Sequence, residues 1–246
     1  MAFGVPSSIG SGNSGLSGTT VTLASLATVN VGDCIWVVLS ADNLGTTDAD
    51  HNEHTGVTDI SGNTYVKIKE FTNGNGTAAT GTTCSIYMCN VTVQLVLTTG
   101  VITGTISSAV TAKAISAMTC TKTASSTLAV AGTPQTDVGD NADPASMTIS
   151  GLSSQEYMFF NGFAGEQAGG NTYTTDADYT AFTKDGTALG GSTDIMVCGG
   201  LRVFTGTGDT YDAATGTDRD YAQIFAAITE VAAAGGGKPW YAYAQQ

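Results

Sequence analysis

Hydrophobic positions along this chain fall either at every second residue or in short unbroken runs, and Gly, Asn, Asp, Ser and Thr separate them. Alternation predicts half-exposed strands, and an unbroken run of strand length predicts a strand covered on both faces. Cys34-Ile-Trp-Val-Val-Leu39 is of the second kind and belongs in the middle of a sheet. Tyr65 to Phe71 is of the first kind, with Val66 and Ile68 on one face and Lys67 and Lys69 on the other. Gly62-Asn63 and Asn73-Gly-Asn-Gly76 supply the turns on either side. A first ordered strand is predicted over 19–23, and others over 84–91, 93–97, 101–106, 110–120, 157–163, 179–182, 195–205 and 221–231. The last of these also fits helical spacing at Tyr221, Ile224, Phe225 and Ile228, with Asp220 placed to cap the start and Gly235 the end.

Four elements recur in the same order in the two halves of the chain. Asp33 to Asp42 answers to Glu156 to Gly165, and Tyr65 to Gly74 to Tyr179 to Gly186. Thr83 to Thr92 answers to Thr193 to Arg202, and Lys113 to Thr121 to Ala222 to Glu230. This cadence favours a strand over a helix at 221–231. It suggests an internal duplication, the competing account being chance likeness among Thr-, Gly- and Ala-rich strands. The expected fold is all-β, an antiparallel β-sandwich of jelly-roll or double Greek-key type. Residues 1–18, Ser- and Gly-rich from Ser7, read as a flexible N-terminal arm, and 19–234 as one sandwich domain. Residues 235–246 read as a glycine-rich hinge and an aromatic tail. In that tail Trp240, Tyr241 and Tyr243 are partner-contact candidates, being residue types that anchor interfaces.

Composition narrows the function. The net charge of −13, from 8 Lys plus Arg against 21 Asp plus Glu, offers no cationic cluster that could release counterions from a phosphate backbone, so nucleic acid is not an expected partner. No apolar stretch approaches a membrane span, and Met1 to Gly18 lacks a secretory pattern, so synthesis in a cytoplasm is expected. The five cysteines, Cys34, Cys84, Cys89, Cys120 and Cys198, lie in apolar runs without C-x-x-C spacing. They are expected to be buried, reduced thiols packing as small hydrophobes.

The chain has two histidines, His51 and His54, and no Gly-x-Ser-x-Gly elbow, phosphate loop or dinucleotide fingerprint accompanies them. No enzyme activity and no cofactor is expected. The densest group of metal-ligating residue types is Asp42, Asp48, Asp50, His51, Glu53 and His54, in one inter-strand loop, where five residues (Asp48, Asp50, His51, Glu53 and His54) are weak metal candidates against the reading of a solvated acidic loop. Asp137, Asp140 and Asp143, and Asp209, Asp212, Asp218 and Asp220, are looser calcium candidates. Tyr173, Tyr179 and Tyr211, in turn-rich regions, keep sugar binding open, whereas Trp36, Tyr87, Tyr157 and Phe159 read as core.

The order Gly32-Asp-Cys-Ile-Trp-Val-Val-Leu, then Val57-Thr-Asp-Ile-Ser-Gly-Asn-Thr-Tyr65, then Lys113-Ala-Ile-Ser-Ala resembles the β-sandwich modules of tailed-bacteriophage virion proteins. The resemblance covers residues 19–234 and brings no catalytic residues with it. It implies a capsid decoration (cement) protein on the outside of the shell, with the major capsid protein and its own copies, as a homotrimer, for partners. A tail or fibre component, or a carbohydrate-binding module or adhesin, is the alternative. An acidic exterior and many symmetric weak contacts suit such a role.

Overall fold

The computed structural model describes residues 2–123, 125–167, 169–190 and 193–232. Among them the chain is all-β. The first half carries β1 (Ser7–Ser14), β2 (Gly18–Ala24), β3 (Cys34–Asp42), β4 (His54–Asp59), β5 (Tyr65–Thr72), β6 (Thr82–Asn90), β7 (Val101–Val110) and β8 (Lys113–Cys120). The second carries β9 (Ser126–Ala142), β10 (Met147–Ile149), β11 (Gln155–Gly165), β12 (Tyr173–Thr174), β13 (Thr180–Ala181), β14 (Asp185–Gly186), β15 (Met196–Gly206), β16 (Asp209–Tyr211), β17 (Ala214–Thr215) and β18 (Arg219–Ala232).

The two halves pair their strands alike. The large sheet of the first half runs β1-β8-β3-β6-β5, and that of the second runs β9-β18-β11-β15, with β13 and β14 both on the free side of β15. Strands matched by sequence therefore occupy matching places: β3 with β11, β5 with β13 and β14, β6 with β15, β8 with β18. The small sheet β2-β7-β4 has its counterpart in β10-β16 and β12-β17. All the pairings are antiparallel.

The large sheets pack face to face through a shared core in which Cys34, Trp36, Val38, Ile86 and Met118 meet Met158, Phe160, Leu201, Ile224 and Ile228. Alternation then sends Ile35, Val37 and Leu39 of β3 to a second core under the small sheet of the first half. Tyr157, Phe159, Tyr211 and Phe225 do the same in the second half. Four layers result, and the two large sheets in the middle have apolar cover on both faces. Each fully buried large aliphatic or aromatic side chain contributes about 1.5–3 kcal/mol by leaving water. Close approach of the sheets depends on Gly162, where a Cβ would run into Ile86 and lie within 3.1 Å of Val38.

Several expectations change. Residues 1–18 are not a free arm: Ser7–Ser14 is strand β1, bonded along β8 from Ser7 opposite Thr119 to Ser14 opposite Lys113. Its Ser/Gly composition hid it, and only Ile9 among its side chains is a large buried hydrophobe. Residues 93–97 form no strand but a loop held by one bridge, Leu95 to Val29. In β5 a register shift between Lys67 and Lys69 breaks the alternation, leaving Val66 exposed and Glu70 buried. The 17-residue strand β9 was not foreseen, because an edge strand rich in Thr, Gly and Asp shows little apolar period. At 179–182 only Thr180–Ala181 pairs. Segment 221–231 lies within strand β18; because Ile224 faces the shared core and Phe225 the outer one, its apolar run fits a helical period as well as a strand.

Candidate functional site

The metal candidates cluster in sequence on the connection between β3 and β4, and the fold pulls them apart. Asp48 Oδ1 accepts from the Gly74 amide at 3.0 Å, while Asp50 accepts from the Asn52 amide at 3.1 Å and pairs with Lys69 at 3.3 Å. The exposed His51 ring meets the Thr47 carbonyl at 2.8 Å through Nε2. Glu53 is buried: its Oε1 accepts from the amides of Leu44 (3.0 Å) and Gly45, and its Oε2 from the Thr83 hydroxyl at 2.5 Å. Glu70 continues the network, accepting from the amides of Glu53 and His54 and from Lys67 Nζ at 2.7 Å. These carboxylates fold the loop by taking up its backbone N–H groups, which would otherwise be buried without a partner.

His54 is fully buried. Its Nδ1 lies 2.6 Å from Ser85 Oγ, its carbonyl accepts from the Tyr87 hydroxyl at 3.1 Å, and its Nε2 has no partner among the described residues. Burial, reinforced by the Lys67 charge, lowers its pKa to about 3, so the ring is neutral. Glu70 is raised by burial against the opposing pull of Lys67. The histidine–serine pair sits between the sheets, away from any surface on which a substrate could reach it. Among the described residues no three His, Cys, Asp or Glu side chains converge on a point where a metal ion could sit.

The looser acidic candidates behave similarly. Asp137 accepts from the Tyr221 hydroxyl at 2.6 Å, Asp140 from Asn73 Nδ2 at 2.8 Å and Asp143 from the Thr215 amide at 2.7 Å. Asp209 binds Arg202 and the Tyr179 hydroxyl, each at 2.8 Å. A closer pair is Glu166 and Asp220, both buried, where the Glu166 amide donates to the Asp220 carbonyl at 2.8 Å across the ends of β11 and β18. Burial first, then the Asp220 charge, raises Glu166 to about 8. Their 54-residue separation carried no signal, because only the pairing of Gly165 with Tyr221 brings them together. Burial also raises Asp42, whose carboxylate accepts from the Ala112 amide at 3.0 Å. Beside it Lys113, buried and lowered by that burial, donates to the carbonyls of Leu16 at 2.6 Å and Val110 at 3.0 Å.

Of the tyrosine candidates for sugar binding, Tyr179 and Tyr211 are core residues of the second half and Tyr173 is half-buried against them. The Tyr173 and Tyr211 hydroxyls bond at 2.8 Å, and Tyr179 meets Tyr211 edge-on at 4.7 Å. Trp36, Tyr87, Tyr157 and Phe159 are buried, as read. Trp240, Tyr241 and Tyr243 lie outside the described residues. The five cysteines are buried and unbridged.

Among the surface concavities of the described residues, two lie beside residues singled out above. A groove of about 440 Å³ runs between Phe3 to Pro6 and the β13–β15 edge, where Arg202 is held by Asp178 at 3.0 Å and Asp209 at 2.8 Å and lies 4.5 Å over the Phe204 ring. Its guanidinium is thus already satisfied. An open, polar hollow of about 400 Å³ lies among Thr46, Thr47, Asp48, Asn75 and Asp140.

What the sequence analysis did not single out is an apolar end of the first half, where Leu26, Val31, Ile60, Val93, Val96 and Leu97 are each between 43% and 73% exposed. Apolar runs in the β2–β3 and β6–β7 connections are its signal in the sequence, and the one at 93–97 has the length and composition of a strand. No protein-family model, curated protein or solved structure matches this chain.

Proposed function

We propose that this protein is a virion structural protein of a tailed bacteriophage, a decoration protein that binds the outside of the major capsid shell as a homotrimer and stabilises it. The observation that carries the reading is the doubled architecture. Each half pairs eight strand positions in the order 1-8-3-6-5 and 2-7-4, a two-sheet antiparallel arrangement that we relate to the jelly roll, a unit that serves in viral capsids. Two such units joined through one apolar core make a rigid block suited to bearing load in a shell. The acidic side chains favour the same reading, since most of those described here fasten loops to strand ends. A net charge of −13 keeps exteriors of neighbouring particles apart.

Stabilisation would follow from mass action, because a protein that binds only the closed shell shifts the shell's equilibrium against opening. The test is cryo-electron microscopy of purified particles, with mass spectrometry of their contents. Density for the four-layered block on the shell exterior at threefold positions is expected. Absence of the chain from purified particles, or its density confined to the tail, overturns the assignment.

A further inference from the structure

We propose that the apolar end of the first half is a docking surface, and that its occupant is the chain's own C-terminal segment, residues 233–246. This does not depend on the virion reading.

The six side chains form one patch because their loops are tied together. Leu95 bridges Val29, Gln94 Nε2 donates to Asn30 Oδ1 at 2.9 Å, Leu97 N to Thr28 Oγ1 at 3.2 Å, and Asn63 Nδ2 to the Val93 carbonyl at 2.8 Å. The two carboxylates on these loops are half-buried and engaged locally, Asp33 accepting from the Asn30 amide and Asp59 from Asn63 and Tyr65. Residues 60–64 and 91–100, which carry four of the six side chains, contain no charged residue, on a protein of net charge −13. Exposed apolar patches of this kind mark contact surfaces.

The second half serves as an internal control. Its equivalent connections are 150–154 between β10 and β11, 175–179 between β12 and β13, and 207–208 between β15 and β16. They are short, rich in Ser, Thr, Gly and Asp, and include none of the exposed large hydrophobics among the described residues. The same strand order thus forms without an apolar end, and the fold does not require one.

The occupant follows from where the described chain stops. Cys34, which follows the β2–β3 loop, pairs with Cys120. Three residues beyond Cys120, the Thr123 amide donates to Glu230 Oε1 at 2.9 Å, and Ala232 ends β18 two residues later. The C-terminal segment thus leaves the sandwich at the end that carries the patch. Trp240 lies eight residues past Ala232, a reach of up to about 26 Å in extended chain, against a radius of gyration near 18 Å for a domain of about this length, roughly 250 residues. The segment carries Trp240, Tyr241 and Tyr243 and one charged side chain, Lys238, and the glycines 235–237 allow the chain to reverse. A tethered segment within reach acts at an effective concentration in the millimolar range, so each chain's own segment outcompetes a neighbour's at ordinary protein concentration.

Trp240 reports on the proposal, because the other tryptophan, Trp36, is fully buried. In the full chain, acrylamide quenching of the accessible tryptophan and solution mass are measured for wild type and for Val96→Asp/Leu97→Asp. Shielding of Trp240 in wild type, lost in the double variant while the solution mass stays the same, is expected. Should that variant unfold, hydrogen exchange of the 91–100 amides in Trp240→Ala/Tyr241→Ala/Tyr243→Ala gives the same information from the other side, and faster exchange is expected. Equal quenching in wild type and double variant, or unchanged exchange in the triple variant, overturns the proposal. So does an oligomer that the triple variant converts to monomer, which would place the segment on a second copy. An oligomer that persists in the triple variant but is broken by the double one would instead put a second copy's surface on the patch, and overturns it as well.

Discussion

The Trp36 indole meets the Phe160 ring edge-on, with centroids 5.8 Å apart and planes at 72°, and this contact joins β3 of the first half to β11 of the second. Both side chains are fully buried in the shared core. Truncating either to Ala leaves a cavity where the large sheets meet, and a loss of about 3–5 kcal/mol is expected. Chemical denaturation of Phe160→Ala should show the two halves unfolding together at lower denaturant. A first transition for one half alone would mean that the shared core does not couple them.

The opposite error, too much volume, has its own site at Gly162. A Cβ there meets Ile86 and Val38 of the facing sheet. Gly162→Val should cost at least about 1–3 kcal/mol through overpacking. An unchanged melting temperature would show that the sheets can separate freely.

His54 makes stability fall in acid. Its folded pKa of about 3 lies below the ordinary histidine value of 6.5. The unfolded chain therefore takes up a proton that the folded one refuses, and stability is lost as pH falls from 6.5 towards 3. His54→Asn should flatten that part of the stability curve. Parallel curves for variant and wild type over this range would contradict the assignment of a neutral, buried ring.

Glu166 acts with the other sign. Its folded pKa, raised to about 8 from 4.5, means that the folded state holds a proton the unfolded one has released. Its contribution is present below 4.5 and lost as pH rises through 8. Glu166→Gln, which removes the charge at nearly constant size, should raise the melting temperature at pH 9 and leave it nearly unchanged at pH 4. A variant less stable at pH 9 than wild type would reverse this reading.

Cys34 and Cys120 sit opposite each other with their sulfurs 3.1 Å apart, a thiol contact that Trp36 Nε1 completes at 3.4 Å from Cys120. Burial holds the Cys34 thiol well above its usual pKa, which suppresses the thiolate needed for oxidation. Native labelling should be slow at all five cysteines, and the intact mass should match five free thiols. A mass lower by two hydrogens with 34 and 120 protected together would show a bridge between them.

The sequence by itself determined the strands with apolar cover on both faces. In β3, β6, β11 and β18 the apolar runs are long enough to survive any register, and the recurrence of four elements already paired the strands that the fold places equivalently. It could not find β1 or β9, because an edge strand earns its place from backbone hydrogen bonds to one neighbour, which Ser, Gly and Thr supply as well as any residue. Tertiary structure alone decided the fate of the charged residues. Asp48 to His54 looked like a ligand set while they were neighbours in sequence, yet each side chain is engaged by a different strand or loop. Glu166 and Asp220 were strangers until the pairing of β11 with β18 buried them side by side. Apolar burial is a property of the individual residue and its period, so it can be read along the chain. A carboxylate's partner is set by which backbone amides the folded loops leave unpaired, and that is known only once the strands have met.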